Sequence, residues 1–262
     1  MRRLVLLVVA ACSANKDAPP PAAGSDDPRT AVRPKYTKDA ESVATIAIDA
    51  PPIDAPPSPE ALAWNARWIA ATGHVHSKPA ANPDWPCATE GVSTGTTTFA
   101  YAGPAKCTVP PDEVQIGCPT KITALARVGG SPTTKTLYYD AKGFLVGAKL
   151  ERDGGFVQRA LFTYDGDQAV AGELDATGDG NLESRTKYER AGKTVRWSVD
   201  FGLSGKYGKP TVFVLADGRV QSQTTDNTIT EFRWRGARLV ERQYKIDGED
   251  SSKTTYRYGC PN

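Results

Sequence analysis

The stretch NLESRTKYER, residues 181–190, decides the fold class of this chain. Leu182, Ser184, Thr186 and Tyr188 occupy every second position, and charged side chains stand between them. Because successive side chains of a β-strand point to opposite faces, this period of two predicts a strand with one buried and one wetted face. The same alternation appears in TVRWSVDF at 194–201 and in TEFRWR at 230–235. Half-buried strands of this kind are typical of antiparallel sheets.

Turn signals separate these runs along the C-terminal part of the chain. Glycine and aspartate tolerate the positive φ angles that tight hairpins require. We count roughly 12–14 strands, nearly all joined to their neighbours in sequence, and open sheets this wide curl or split. We therefore expect an all-β antiparallel meander, curled or barrel-like and plugged by large side chains. The turn signals are Asp140–Gly143, Asp153-Gly154, Asp165-Gly166, Ala191-Gly192, Asp217-Gly218, Arg235-Gly236 and Asp247-Gly248.

A short helix is predicted ahead of the strands, from about 59 to 71. Ser58 is a good N-cap residue, Pro59 suits the first helical turn, and Gly73 can end the helix. Its role would be to cover apolar sheet surface or to help plug the curled sheet.

A longer regularity runs through residues 135–258. Pairs of large residues, two positions apart, precede every second turn at intervals of 19 to 27 residues. The segments YYDAKGFL at 138–145 and FTYDG at 162–166 resemble the YD repeat of Rhs-type proteins. Tyr188-Glu189 keeps half of this motif and Trp234-Arg235 has lost it. The resemblance implies an antiparallel sheet that curls into a shell; the repeats are too few for the toxin-enclosing function.

The first twelve residues, MRRLVLLVVAAC, have the pattern of an export signal, with a basic start, a short apolar run and small residues before Cys12. Val9-Ala10-Ala11-Cys12 resembles the lipobox of bacterial lipoproteins, which implies cleavage before Cys12 and acylation of that cysteine. Ser13 follows, as in lipoproteins sorted to the outer membrane. An ordinary secretory signal with a chance cysteine is the alternative. Lipid on Cys12 would attach the protein to a membrane.

The predicted organisation has three parts. Residues 1–11 are a signal peptide, residues 12–57 a lipidated cysteine and disordered tether, and residues 58–262 a single disulfide-braced β domain. The tether holds nine of the 20 prolines and has too few apolar residues to form a core. Cleavage removes Arg2 and Arg3 and leaves 30 basic and 30 acidic residues, a balance that gives no support to nucleic-acid binding.

The remaining cysteines are even in number, which in an exported chain favours two disulfides. Cys107 and Cys118 flank a proline-containing loop and could close it, and Cys87 would then pair with Cys260. The spacing alone leaves the other pairings open.

Two short patterns near the start of the β domain could carry chemistry. Gly91–Gly95 matches G-x-S-x-G, but no histidine follows it, so a serine hydrolase is disfavoured. His74 and His76 would share one face of an extended segment, and metal binding would need a third ligand such as Asp84 or Glu90. Two exposed loop histidines are the simpler interpretation.

The acidic turn, residues 175–183, resembles part of a calcium loop. Asp175, Thr177, Asp179 and Glu183 could gather oxygen ligands, and Gly180 would allow the turn. Thr186 stands where an EF-hand requires glutamate, so a polar hairpin turn without metal is the favoured interpretation.

These patterns together predict an exported lipoprotein, anchored to the outer membrane, with a binding or scaffolding role. The partner would be an envelope protein or a glycan, and nucleic acid is not expected. No cofactor is expected either, calcium at the acidic turn being the one candidate. A calcium-dependent carbohydrate-binding module is the first alternative. An envelope hydrolase with an unrecognised site is the second, although catalysis is not the favoured function.

Overall fold

The computed structural model describes residues 56–74, 82, 84–91, 95–113, 116–125, 131–152 and 155–259. Helix α1 (Pro59–Thr72) comes first and is followed by fourteen strands. The strands are β1 (Ala88–Gly91), β2 (Gly95–Ala100), β3 (Lys121–Leu125), β4 (Thr133–Tyr139), β5 (Leu145–Arg152), β6 (Phe156–Asp165), β7 (Gln168–Asp175), β8 (Ser184–Ala191), β9 (Thr194–Phe201), β10 (Thr211–Ala216), β11 (Arg219–Thr225), β12 (Thr228–Arg235), β13 (Arg238–Ile246) and β14 (Glu249–Arg257).

The strands form one closed antiparallel barrel. Each strand pairs with its neighbours in sequence, and β1 also pairs with β14, where Thr89 lies opposite Tyr256. Closure satisfies the backbone groups that an edge strand would leave unpaired. The predicted all-β meander, barrel-like and with one short N-terminal helix, is confirmed.

The hairpins turn where glycine and aspartate were expected to allow it. Asp217 and Gly218 have φ angles of 51° and 74°, and Asp247 and Gly248 have φ angles of 52° and 85°. Such angles fall in the left-handed region that these two residue types tolerate best. The predicted turn at 153–154 lies outside the described residues.

The alternation in sequence places large apolar side chains on the inner face of the barrel and charged side chains on its outer face. Tyr188 and Trp197 lie directly opposite each other on the inner face, and both are buried. Their neighbours Glu189 and Arg196 are exposed on the outer face. The inner residues of this wall form an apolar cluster of Tyr188, Val195, Trp197, Val199, Phe213, Leu215 and Val220.

On the opposite side of the barrel, the connection between β2 and β3 packs against the inward-facing residues. We call this connection the plug loop (residues 101–120). Cys118 packs with the inward-facing Ile122, Leu137 and Tyr139. The Tyr139 hydroxyl donates a hydrogen bond to the carbonyl of Pro119 at 3.0 Å. Backbone hydrogen bonds also join Thr108 to Gly143 and Leu145, each at 2.9 Å. The described parts of the plug loop, 101–113 and 116–120, therefore pack against the inner face of the barrel.

Helix α1 covers the outside of the barrel instead of plugging it. Ser58 caps it by accepting a hydrogen bond from the Ala61 amide at 3.1 Å. Trp64 and Trp68 pack against Leu161, which alternates along β6 with inward-facing residues. The predicted covering role is confirmed. Among the described residues, no helix has the length and apolar character needed to cross a bilayer.

Candidate functional site

A large concave surface lies at one end of the barrel, where several hairpin turns meet the plug loop. We call it the mouth cleft, and its volume is about 640 Å³. The plug loop forms one wall with residues such as Lys106 and Val109. The opposite wall comes from β10–β13 and includes Leu215 and Leu239. This volume lies within the range of about 300–1,000 Å³ that is usual for small-molecule sites.

Three aromatic side chains line the mouth cleft, and each is held by a specific contact. The Trp234 indole donates a hydrogen bond to the Val220 carbonyl at 2.9 Å, and the Tyr258 hydroxyl donates one to the Leu239 carbonyl at 2.7 Å. Burial raises the pKa of Tyr258 to about 12, so its hydroxyl stays protonated at neutral pH. The ring faces are thus fixed before any ligand arrives.

The third ring, Trp85, packs tightly on the plug loop. It lies 4.9 Å from the Tyr101 ring, centroid to centroid. A Cβ atom at Gly117 would lie 2.5 Å from the Trp85 ring, and Gly117 has a φ of 91°. Only glycine combines this backbone angle with so close an approach. The Tyr101 hydroxyl donates to the Pro86 carbonyl at 2.7 Å, which secures the segment that carries Trp85.

An arginine lies over each of two of the rings. The Arg219 guanidinium lies 5.2 Å from the centre of the Trp234 ring. The Arg238 guanidinium lies 5.1 Å from the Tyr258 ring and also pairs with Asp84 at 2.9 Å. Arginine over an aromatic face is stabilised by the ring quadrupole, and its outer N–H groups remain able to bind an oxygen. The mouth cleft can therefore stack on a flat apolar face and donate hydrogen bonds at its rim.

The cysteine predictions are confirmed in part. Cys107 and Cys118 form a disulfide with a Cα–Cα distance of 5.7 Å, which closes the plug loop as predicted. Cys87 is also disulfide-bonded. Cys260 lies outside the described residues, as does the lipidation candidate Cys12, so the Cys87–Cys260 pair and the lipid anchor stay predictions.

The acidic turn brings three of its four candidate ligands together. Oxygen atoms of Asp175, Asp179 and Glu183 lie within 4.8 Å of one another. Asp175 accepts hydrogen bonds from Arg159, through Nε at 2.8 Å and Nη2 at 2.5 Å. Glu183 accepts from the Ala176 amide and from the Thr177 hydroxyl.

These carboxylates already have partners that organise the turn. Asp179 accepts from the backbone and side-chain N–H groups of Asn181, and hydrogen bonds lower its pKa despite some opposing desolvation. Arg159 supplies the positive charge that a calcium ion would otherwise bring to Asp175. The arrangement explains the fold of a polar turn, and calcium binding here stays a prediction.

Only one of the two candidate histidines lies within the described residues. His74 is exposed just after α1, and His76 lies outside the described residues. The suggested third ligands are engaged elsewhere, since Asp84 pairs with Arg238 and Glu90 pairs with Arg257.

Sequence reasoning missed the residues that frame the mouth cleft from the plug loop. Nothing in the periodicity marks 101–120 as an inward loop, because prolines and short polar runs also occur in surface loops. The flanking cysteines were the one available signal that this loop is closed on itself.

Comparisons with known proteins identify no family. The chain matches no protein-family model and no curated protein. A solved structure of a porin-like protein from Bacteroides uniformis ATCC 8492 is similar with a TM-score of 0.34 and 10% identity, over 63% of this chain and 78% of that one. This likeness is too slight to support a functional argument.

Proposed function

We propose that this chain is an exported, lipid-anchored protein of the bacterial cell envelope that binds a glycan in the mouth cleft without altering it chemically. The observation that carries the binding role is the mouth cleft itself, about 640 Å³ in volume and lined by three held aromatic rings. Aromatic rings stack on the C–H face of a sugar, and guanidinium groups donate hydrogen bonds to its oxygens.

The outer face of the barrel is suited to water, as we would expect of a domain at the end of a tether. Its charged side chains form ion pairs across neighbouring strands, such as Lys245 with Glu231 at 3.0 Å and Arg233 with Glu241 at 2.8 Å. Charged side chains facing hydrocarbon are costly, so such a face suits an aqueous compartment. Acylated Cys12 and the proline-rich segment would then attach the barrel to the membrane.

Binding without catalysis fits two charged groups at the mouth cleft that are already engaged within the protein. Asp84 is held by Arg238, and Arg219 is held over Trp234. Fixed and paired groups hold a ligand in place, whereas a general base must be able to accept a proton from the substrate. The hydrolase alternative would need a reactive group beyond these.

The test is isothermal titration calorimetry on the full chain in detergent. The probes are chitotetraose and peptidoglycan fragments released by lysozyme. We expect saturable heat with at least one probe, and Arg219→Gln should weaken that binding about tenfold, which corresponds to about 1.4 kcal/mol. The matched control is Arg196→Gln, the same substitution at an exposed position of the outer face.

Two outcomes would overturn the proposal. Equal weakening by both arginine variants would show that the heat comes from the general surface charge. Absence of heat with both probes, or release of new reducing ends from them, would exclude glycan binding without turnover.

A further inference from the structure

A second cavity lies within the barrel, away from the glycan site proposed above. It has a volume of about 90 Å³ and lies between the plug loop and the wall formed by β4–β9. Ala148, Leu150, Phe162 and Leu174 form its apolar surface. We call it the inner cavity.

Five buried polar atoms of residues that line the inner cavity form no hydrogen bond of normal geometry within the described part of the chain, although the Tyr188 hydroxyl approaches both Asp112 and Thr186. Ser184, Tyr188 and Trp197, which carry three of them, are 1%, 6% and 9% exposed. Leaving a buried polar group without a hydrogen bond is costly, so nearly all such groups in proteins are satisfied. The five atoms are Asp112 Oδ1, Ser184 Oγ, Thr186 Oγ1, the Tyr188 hydroxyl oxygen and Trp197 Nε1.

The clustering of these atoms has a local cause. Ser184, Thr186 and Tyr188 alternate along β8, so their hydroxyls all reach the inner face. Tyr188 lies opposite Trp197 on β9. A Cβ atom at position 172 on the facing strand would lie 2.4 Å from Thr186 Oγ1, so Gly172 leaves room for that hydroxyl.

The charges around the inner cavity do not balance when Asp112 is ionised. Lys135 donates hydrogen bonds to both carboxylate oxygens of Glu113, at 2.7 Å and 2.5 Å, so one cation faces two carboxylates. Asp112 shares Lys135 with Glu113, and no other cation appears among the described groups that influence it. Burial, and next the charge of Glu113, raise the pKa of Asp112 to about 7, while a hydrogen bond from Tyr188 and the charge of Lys135 oppose this rise.

We propose that the inner cavity binds a small primary ammonium ion, whose nitrogen donates hydrogen bonds to Asp112, Tyr188 and Thr186. Carboxylate and hydroxyl oxygens are the acceptors that an ammonium group needs. Its short alkyl group lies against Ala148 and Phe162, and the nearby Trp197 ring favours a positive charge. An anion would instead add to the negative charge of Asp112.

The affinity of the inner cavity for an ammonium ion should depend on pH. The ammonium binds the ionised carboxylate, so its affinity rises as pH increases toward the Asp112 pKa of about 7 and then levels off. The charged and titratable groups near Asp112 are Glu113 on the plug loop, Lys135 on β4, Tyr164 on β6 and Tyr188 on β8. Burial raises the pKa of both tyrosines above 10, so they stay neutral in this range.

The experiment titrates the full chain in detergent with ethylammonium chloride at pH 5.5 and pH 8.0. Ethanol is the neutral probe of equal size, acetate is the anionic probe, and potassium chloride tests for an inorganic cation. We expect ethylammonium to bind at least about tenfold more tightly at pH 8.0, since one unit below a pKa about a tenth of the carboxyl is ionised. Asp112→Asn should abolish this pH dependence and weaken binding at pH 8.0 at least about tenfold, while Asp84→Asn in the mouth cleft should leave both unchanged.

Tyr188→Phe is the second variant, because it removes one acceptor and keeps the ring that fills the core. It should weaken ethylammonium binding and leave the urea midpoint close to that of the wild type.

Equal affinity for ethanol and ethylammonium would overturn the charge argument. Heat with potassium alone would replace the ammonium by an inorganic cation. Absence of heat with every probe would mean that water satisfies the five atoms, and the proposal would then fail whatever the outcome at the mouth cleft.

Discussion

Replacing Asp175 by asparagine is expected to destabilise the barrel strongly. Asp175 is fully buried and accepts two hydrogen bonds from Arg159. It also accepts from the amides of Gly178 and Gly180, at 2.7 Å and 3.1 Å. One carboxylate therefore holds both the acidic turn and a buried guanidinium.

The expected loss of stability comes mainly from the unpaired Arg159 charge that the variant leaves. The Arg159 side chain is only 14% exposed, so neutralising Asp175 leaves a buried charge without its partner. Breaking a buried ion pair from one side costs about 3–5 kcal/mol. Asparagine keeps one oxygen that can accept from the glycine amides, so we expect a loss of about 3 kcal/mol. Because Arg159 also donates to Asn65 at 2.8 Å and lies 4.8 Å from the Trp64 ring, α1 should loosen as well.

Urea unfolding followed by circular dichroism measures the loss, and indole fluorescence reports on α1. Glu173→Gln is the matched control, since its pair with Arg67 is partly open to solvent, with side-chain exposures of 56% for Arg67 and 22% for Glu173. Exposed pairs contribute at most about 1 kcal/mol. If Asp175→Asn costs no more free energy of unfolding than Glu173→Gln, the reasoning about the buried pair is refuted.

Four further predictions test other parts of the molecule. Replacing Cys107 and Cys118 together by serine should lower the free energy of unfolding by about 2–3 kcal/mol, measured in urea, because an unlinked plug loop gains entropy on unfolding. Gly117→Ala should lower the melting temperature by several degrees, since the new methyl group would overlap Trp85, and an unchanged melting curve would contradict that packing. Calcium at 1 mM, about the weakest dissociation constant of extracellular calcium modules, should give no calorimetric heat with the wild type, because an arginine already neutralises the buried carboxylate of the acidic turn. Saturable heat would revive the calcium-dependent alternative. Cys12→Ser should abolish incorporation of labelled palmitate in cells, and labelling of the serine variant would exclude this anchor site.

The pattern of residue types predicted much of the fold. Period-two alternation identified the inward faces of the strands, and Tyr188, Trp197 and Phe213 are all buried. The steric preferences of glycine and aspartate located the hairpin turns. These properties depend on a few neighbouring residues, which is why they can be recognised without coordinates.

The candidate sites depended on contacts between distant segments. The acidic turn was recognised as a cluster of carboxylates, yet its counter-charge, Arg159, comes from a different strand. The inner cavity joins Asp112 of the plug loop to hydroxyls of β8, and no spacing in the sequence relates these segments. The mouth cleft likewise needs Trp85 and Trp234 to meet across the end of the barrel.

The sequence by itself determined which side chains of each strand face the core and where the chain reverses, because both follow from local backbone geometry. Only the tertiary structure decided that β1 meets β14, that the plug loop enters the barrel, and that α1 stays outside. Those choices depend on how apolar surface and charge from remote segments fit together in space. For that reason the cavities, and the functions proposed for them, became visible only once the barrel was closed.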